Sequence, residues 1–508
     1  MKFLSKIFLI FLFTCSACYA GYYTPGTGVR WNMNDLVVNS GGVVTFSSGS
    51  YIINDTVKIR TGDTLYITSD LTVKFALNTS LAVSGTLLLN PPTGVLFTAL
   101  DTASKYSGVR IDSSNSTVIK KLTIEHGVAL RISDCSIIVD SCVFRSMGFA
   151  ASTFTNAAIV LARSGSTISN SKFLNNYRAA IQSGANVSVW AKITGNLFQG
   201  NDLYNLNVPQ INLGPSGTDT LKILNNQILR ASTNSGGIGF LPIGNLYAVI
   251  SNNVIKNNRY GLTFSGGNTI NVLVSYNQID SNNTQNDPLL GGSGIAFSGG
   301  SASSQQNSRV TGNLIRWNLW GITIQNRSKP NIGNLTNADT SDNGKNVFFK
   351  NNNSSTPFID LYNNSIDTIF AQGNSWGSSN TDSIAARIFD MADNPALGPV
   401  NYLPAITSVF SLSSNVPDKF ILSQNYPNPF NPVTKINFVL PVSGLVKLNI
   451  FDISGKEVIS LINNQMSPGT YSVTVNTAGL ASGVYLYKLT ELGDNHSFEL
   501  TKRMVLIK

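Results

Sequence analysis

Charged residues are scarce in this sequence. Asp, Glu, Lys and Arg make up 12% of its 508 residues, about half the usual share, and only two histidines are present. The chain has no run of lysine or arginine and no nucleic-acid-binding motif, so the net charge of +9 predicts no nucleic-acid partner. Beyond the N-terminus, no apolar run approaches the ~20 residues that a transmembrane helix needs.

The body of the chain, residues 21–404, contains few of the side chains that acid–base catalysis uses. Residues 21–404 hold one glutamate and one histidine, the neighbours Glu125 and His126. Glycoside hydrolysis needs a facing pair of carboxylates, and Ca²⁺-assisted elimination needs an acidic cluster beside a basic residue. We therefore expect no metal or other cofactor, and Ca²⁺ enters only under the lyase alternative. Glu125 and His126 stay a minor catalytic candidate.

The N-terminus has the pattern of a secretory signal peptide. Two lysines precede a short apolar run, and small residues follow up to Ala20. Residues 1–20 are therefore predicted to be a signal peptide that is cleaved on export.

The middle of the chain repeats one phrase about every 28 residues. An apolar anchor residue is preceded two residues earlier by Asn and followed three residues later by a second Asn, and then by Gly and a short alternating strand. The anchors are Ile124, Phe144, Phe173, Phe198, Ile228, Ile255, Ile279, Ile315, Phe348 and Trp376.

Stacking of these copies as parallel strands predicts an all-β solenoid. Nothing between copies has the length or periodicity of a crossover helix. Asn tolerates left-handed backbone at corners, and stacked Asn amides can hydrogen-bond along the axis. The segment 21–404 resembles the right-handed parallel β-helices of the pectate-lyase-like superfamily. That superfamily contains lyases, hydrolases and non-catalytic adhesins, so the resemblance implies a fold and leaves the activity open.

Two cysteines, Cys135 and Cys142, remain after the predicted cleavage. An exported protein could join them in a disulfide. Cys142, however, occupies the column two residues before the anchor, which elsewhere holds Asn or Ser. A thiol in the turn column is therefore favoured over a bridge.

Charged residues share one offset from three anchors. Lys256, Asp280 and Arg316 each follow their anchor directly, so they should stack on consecutive coils. They are weak candidates for catalysis, and a solvated surface charge ladder is the preferred interpretation. Stacking would place Lys256 close enough to Asp280 to pair. If this face contacts a glycan, replacement of Arg316 should weaken ligand binding with little change in stability.

Aromatic residues in the same coils are candidates for glycan binding. Tyr260 and Trp320 both stand five residues after an anchor, with Arg259 and Trp317 nearby. Such rings could stack on a sugar face, although packing of the rings on one another is the simpler alternative. An insertion over 286–309 could wall a groove beside them, and a second insertion covers 326–345.

The solenoid is predicted to end by about residue 404. The i, i+4 apolar spacing around Ile384 predicts a short helix that caps the last coils. Residues 405–423 are then expected to form a linker.

The last 85 residues have a different character. Short alternating strands separated by turns predict a β-sandwich over 424–508. The segments YPNPFNP, FDISGKEV, SGVYLYKL and KRMVLIK closely resemble the type A C-terminal sorting domain of the type IX secretion system. That resemblance implies recognition by the type IX secretion machinery and delivery to the outer-membrane surface or the medium.

Taken together, these features predict an exported, monomeric, all-β protein. A carbohydrate-binding or adhesive solenoid whose partner is an extracellular polysaccharide is the first hypothesis. A polysaccharide lyase or glycoside hydrolase is the alternative.

Overall fold

The computed structural model describes residues 21–148, 156–266, 269–301, 307–353, 358–378, 380–406, 409–413, 419–442, 444–466, 469–492 and 497–507. The predicted signal peptide and residues 302–306 of the first predicted insertion lie outside these ranges.

Residues 21–401 form a parallel β-helix with three sheets, and each regular coil gives one strand to each sheet. Sheet 1 contains Arg30–Trp31, Thr64–Ile67, Thr86–Leu89, Val118–Lys120, Ile138–Asp140, Thr167–Ser169, Lys192–Thr194, Leu221–Leu224, Leu246–Ser251, Ile270–Ser275 and Arg309–Thr311. Sheet 2 contains Val44–Ser47, Ser50–Ile53, Leu71–Phe75, Val95–Ala99, Leu122–Glu125, Val143–Arg145, Lys172–Leu174, Leu197–Gln199, Gln227–Leu229, Val254–Lys256, Gln278–Asp280, Leu314–Arg316 and Val347–Phe349. Sheet 3 contains Tyr22–Tyr23, Val57–Ile59, Ser80–Val83, Gly108–Asp112, Leu130–Ser133, Ala157–Ala162, Ala179–Ser183, Ile211–Leu213, Ile238–Phe240, Leu262–Phe264, Ser293–Phe297, Trp320–Asn326, Leu361–Ser365 and Ile388–Phe389.

Short elements close the two ends of the solenoid. Helix α1, Met33–Asn39, packs at the N-terminal end behind a capping box formed by Asn32 and Asp35. Ile369–Phe370 pairs with Val400–Asn401 at the other end. Helix α2, Thr381–Ala385, buries Ile384, so the predicted capping helix is confirmed. A 3₁₀ turn, Thr340–Asp342, lies in the second insertion.

The predicted anchors form one inward stack on sheet 2. Phe144 pairs with Phe173, and the register continues strand by strand to Phe348. The rings of Phe348 and Trp376 then stack with centroids 4.5 Å apart. All ten anchors are fully buried, and burial of each aliphatic anchor contributes about 1.5–3 kcal/mol to folding.

A first asparagine ladder runs along the corner between sheets 1 and 2. Each Asn Nδ2 donates to the Oδ1 of the next Asn along the axis, at 2.9–3.0 Å, from Asn196 through Asn226, Asn253, Asn277, Asn313 and Asn346 to Asn374. Ser171 and Cys142 occupy the same column earlier in the chain. Cys135 and Cys142 are both buried free thiols, which agrees with the favoured interpretation.

A second asparagine ladder lies along the corner between sheets 2 and 3. Its amides run from Asn176 through Asn201, Asn258, Asn282 and Asn318 to Asn351, which donates to the carboxylate of Asp360 at 2.9 Å. One coil has Ala231 in place of Asn. Gln210 bridges the gap, because its Oε1 accepts from Asn201 at 2.7 Å and its Nε2 donates to Asn258 at 3.0 Å.

Glycine stands at the start of four successive sheet 3 strands, at Gly237, Gly261, Gly294 and Gly321, because the second corner brings two backbones together there. A Cβ on Gly261 would lie 2.4 Å from the carbonyl oxygen of Gly294 and 2.8 Å from the side chain of Ile279. Any larger residue would push adjacent coils apart.

The C-terminal domain has two antiparallel sheets around its own core. One sheet has the order Val409–Ser413, Gly469–Asn476, Val433–Leu440, Ile421–Leu422, and the other has the order Glu457–Met466, Gly444–Phe451, Gly483–Leu492, Ser497–Leu506. The buried cluster includes Ile436, Phe438, Leu448, Ile450 and Tyr487. Two of these strands fall within 405–423, so the predicted linker also supplies strands to this domain.

Candidate functional site

The three charged residues on sheet 2 stack as predicted, but they pair differently. Lys256, Asp280 and Arg316 occupy one column of the register. Arg316 binds Asp280 with two hydrogen bonds, Nε to Oδ1 at 2.8 Å and Nη2 to Oδ2 at 2.9 Å. Both side chains are 0% exposed. The expectation that this charge ladder is solvated is therefore wrong, and Asp280 binds Arg316 as well as interacting with Lys256.

The geometry of the guanidinium explains this difference. Its planar fork matches a carboxylate better than an ammonium does, and the ring of Trp317 covers it, with the centroid 4.1 Å from the Arg316 Cζ. Burial, helped by Arg316, lowers the pKa of Lys256, while Asp280 opposes that shift. Removal of Arg316 would leave the buried Asp280 carboxylate without its guanidinium partner. The prediction that Arg316 can be replaced with little change in stability is therefore also wrong.

A groove of about 640 Å³ opens on the outer face of sheet 3. Its floor is a column of outward residues on successive strands, Thr263, Ala296, Thr323 and Tyr362. The hydroxyls of Ser265 and Ser298 lie beside this column, 2.8 Å apart. The floor therefore offers hydroxyl donors and acceptors at the spacing of adjacent β-strands.

The first insertion forms one wall of this groove. Residues 288–291 line it, and Leu289 at the tip is 90% exposed. Ser293–Phe297 is a regular sheet 3 strand, so within the described residues the wall comes from the start of the insertion. Trp320 Nε1 holds the wall by donating to the Pro288 carbonyl oxygen at 3.1 Å.

Arg259 joins this wall to an earlier loop. Its guanidinium donates to the side chain of Asn207 and to the backbone carbonyl of Leu290. Asp202 shapes that earlier loop, because its Oδ2 accepts from the backbone N–H groups of Leu206 and Val208 at 3.0 and 3.1 Å. Burial raises the pKa of this carboxyl. The role of Arg259 here is to position the rim of the groove.

Aromatic rings close the groove at both ends. Trp320 and Tyr362 meet at a centroid distance of 5.2 Å with tilted planes, and Phe389 stacks on the far side of Tyr362 at 4.9 Å. Tyr260 is half-buried over Gly236, where an added Cβ would lie 2.1 Å from its ring. Burial raises the pKa of the Tyr260 hydroxyl to about 12. Rings in this setting present apolar faces beside polar floor groups.

The structure thus brings together three of the four predicted ligand-binding residues, Arg259, Tyr260 and Trp320. Trp317 lies elsewhere, in a second pocket with Lys350 and Arg387. The outward residues Thr323, Gln325 and Tyr362 were missed. The alternation of the Gly321-Ile-Thr-Ile324 strand carried a signal for two of them, because every second residue must face outward.

Glu125 and His126 belong to a charged cluster near the N-terminal end. Glu125 pairs with Arg145 at 2.5 Å and accepts from the Thr98 hydroxyl at 3.1 Å. Lys105 Nζ lies 3.4 Å from His126 Nδ1. Burial, together with the Lys105 charge, lowers the pKa of His126, and burial lowers the pKa of Lys105. A neutral imidazole can act as a general base.

Comparisons with known proteins match two parts of the chain. The family described as "Right handed beta helix region" matches residues 107–304. The family described as "Secretion system C-terminal sorting domain" matches residues 424–506. No curated protein matches the sequence. In the described residues, no helix is long and apolar enough to cross a membrane.

Three solved structures are similar at low identity. A mutant tailspike protein of E. coli bacteriophage HK620, in complex with pentasaccharide, is 9% identical, with 96% of this chain and 86% of that chain covered and a TM-score of 0.27. A second mutant of that tailspike is 8% identical, with coverages of 89% and 87% and a TM-score of 0.25. The tailspike gp49 of Acinetobacter baumannii bacteriophage Fri1, a capsular polysaccharide depolymerase, is 10% identical, with coverages of 95% and 78% and a TM-score of 0.24.

Proposed function

Since this chain is a right-handed parallel β-helix protein that carries a type IX secretion system sorting domain, we propose that it is an exported carbohydrate-binding protein whose glycan lies in the sheet 3 groove. The sorting domain indicates export to the cell surface or the medium. The binding function rests on the composition of the groove.

The observation that carries this proposal is a polar floor between aromatic ends. Thr263, Ser265, Thr323 and Gln325 can exchange hydrogen bonds with sugar hydroxyls, while Trp320 and Tyr362 offer rings to the apolar face of a sugar. Among the described residues that line the groove there is no Asp, Glu or His. Such a lining favours binding over hydrolysis, which needs a carboxylate pair.

The test compares groove variants on an array of polysaccharides. Thr323→Val keeps the shape of the side chain and removes one hydroxyl, and Gln325→Ala removes an exposed amide. Loss of one hydrogen bond should weaken binding about 2–10-fold. Thr123→Val, which removes an outward hydroxyl from sheet 2, is the matched control and should bind like the natural protein. Equal binding by all three variants would contradict a site in this groove.

An enzyme is the second candidate, and it is favoured by the Glu125–His126–Lys105 cluster. A neutral imidazole beside a carboxylate and a lysine of lowered pKa could serve as an acid–base group. The test is release of unsaturated or reducing ends from polysaccharides. His126→Asn should abolish release without unfolding the chain, because Asn suits the left-handed backbone of His126, whose φ is 56°. Release that persists in this variant would exclude the cluster.

A further inference from the structure

One corner column uses bulky residues where the backbone favours small ones. The residue two positions after each anchor on sheet 2 has left-handed backbone. In five coils this residue is Ser146, Asn175, Gly200, Asn257 or Ser281, and in four it is His126, Arg230, Trp317 or Lys350. A large side chain is unfavourable in this conformation, and Asn or Gly is tolerated.

The fold therefore does not require Trp317 or Lys350 at these two positions of the corner column. Their φ angles are 55° and 50°, and Asn occupies the equivalent place in the coils of Asn175 and Asn257. Strained residues of this kind concentrate at functional sites. The two residues follow one another in the column, on adjacent coils.

Both residues open onto the same pocket, called here the corner pocket. It has a volume of about 500 Å³ and is lined by Trp317, Lys350, Asn351, Asn352, Ile359 and Arg387. Lys350 is exposed, and its Nζ lies 5.2 Å from the centroid of the Phe349 ring. The corner pocket thus combines an aromatic ring with two cationic side chains.

Arg387 is only partly satisfied by the protein. Its Nε lies 2.6 Å from Asp360 Oδ2, yet neither Nε nor Nη2 makes a well-directed hydrogen bond. Both atoms are buried beside Asp360, so the contribution of Arg387 to the corner pocket is the positive charge of its guanidinium. Asp360 also accepts from the second ladder, which divides its charge between two partners.

We propose that the corner pocket binds the anionic substituent of an acidic sugar, a carboxylate or a sulfate. The sugar ring packs on Trp317, and Lys350 and Arg387 hold the anionic group. This inference rests on the proposed function and adds charge selectivity to it. Charge-assisted hydrogen bonds from a guanidinium and an ammonium are the interactions that suit such a group.

The test measures binding of paired probes to the full chain. Oligosaccharides of uronic acids are compared with their methyl esters, and sulfated oligosaccharides are compared with their desulfated forms. The acidic member of at least one pair should bind tenfold or more tightly than its neutral form, because a charge-assisted hydrogen bond is worth about one order of magnitude in affinity. The carboxylate and sulfate arms distinguish the two sources of charge.

Lys350→Asn and Trp317→Asn are the decisive variants, because each installs a residue that sister coils already use. Lys350→Asn should keep the melting temperature and remove most of the preference for the acidic probe. Trp317→Asn should weaken binding of both probes and also lower the melting temperature, because its ring covers Arg316. Arg230→Asn is the matched control, with the same change of charge in the same column outside the corner pocket. It should keep the preference.

Three outcomes would overturn the proposal. Acidic and neutral probes could bind equally, or Lys350→Asn could keep the preference. Arg230→Asn could lose as much as Lys350→Asn does, which would indicate only a general charge effect. Binding of neutral glycans that Thr323→Val weakens, without any acid preference, overturns this inference alone. Failure of every glycan to bind overturns the proposed function as well.

Discussion

Gln210 offers a direct test of how the second asparagine ladder stabilises the solenoid. Gln210→Ala removes three hydrogen bonds, one from Asn201 Nδ2 at 2.7 Å, one to Asn258 Oδ1 at 3.0 Å and one to the Leu229 carbonyl oxygen at 3.2 Å. A buried polar group without its partner costs about 1–3 kcal/mol. Asn201 keeps a bond to Phe173 and Asn258 keeps one from the Ala231 N–H. We therefore expect a loss of about 2–4 kcal/mol from these groups.

Ala231→Asn should destabilise the natural chain but stabilise the Gln210→Ala variant. In the natural chain the space beside Ala231 is occupied by the Gln210 amide, so a larger side chain should destabilise by about 1–3 kcal/mol. In Gln210→Ala that space is vacant. The Ala231 N–H already donates to Asn258 Oδ1 at 3.2 Å, as the ladder asparagines do with their successors. The new amide can therefore restore the ladder and recover at least half of the loss.

The assay is a double-mutant cycle in denaturant unfolding, with hydrogen exchange of the neighbouring amides as a local measure. Opposite signs for Ala231→Asn in the two backgrounds would support the ladder as a stabilising unit. Additive effects of the two substitutions would refute this reasoning, as would a cost below 0.5 kcal/mol for Gln210→Ala, which is less than one typical buried hydrogen bond.

Three further predictions follow from the same structure. Arg316→Ala should cost about 3–5 kcal/mol in denaturant unfolding, because it strands the buried Asp280 carboxylate; a loss as small as for an exposed residue would contradict the pair. Burial raises the pKa of Asp360 from 3.8 to about 6, so the folded state holds this proton more tightly. The contribution of Asp360 to stability should be largest below pH 4 and should fall by about 3 kcal/mol as the pH rises through 6; Asp360→Asn should lose this part of the pH dependence, and a profile identical to that of the natural chain would exclude the assignment. Deletion of Gln424–Lys508 should leave a folded solenoid in the periplasm, as cell fractionation would show; normal surface delivery would contradict the role of the sorting domain.

The inward half of the solenoid was predictable because it repeats. A residue such as Ile255 must face the core whenever its sheet neighbours carry equivalent residues, and the Asn beside it must occupy the corner. Outward residues follow no such rule. The ring of Trp317 lies over the Arg316 guanidinium, and the spacing of charges along the sequence does not report that contact.

The repeat pattern also could not predict that a residue distant in the sequence takes the place of a missing ladder asparagine. Ala231 interrupts the asparagine column, and the replacement, Gln210, lies 21 residues earlier, directly before the strand Ile211–Leu213. Tyr362 was missed because the insertion at 326–345 shifts the count of residues between coils. In both cases the chain keeps the three-dimensional position and changes the spacing along the sequence.

The first asparagine ladder has a consequence for how solenoids of this kind can vary in length. Each coil from Asn226 to Asn346 offers the same acceptor to the coil before it and the same donor to the coil after it. Removal of the segment from Asn253 to Tyr276 would bring Asn277 into the place of Asn253, directly behind Asn226. A gene that loses or duplicates such a segment still encodes a continuous rod, so evolution can change the reach of the molecule one whole coil at a time and keep its cross-section.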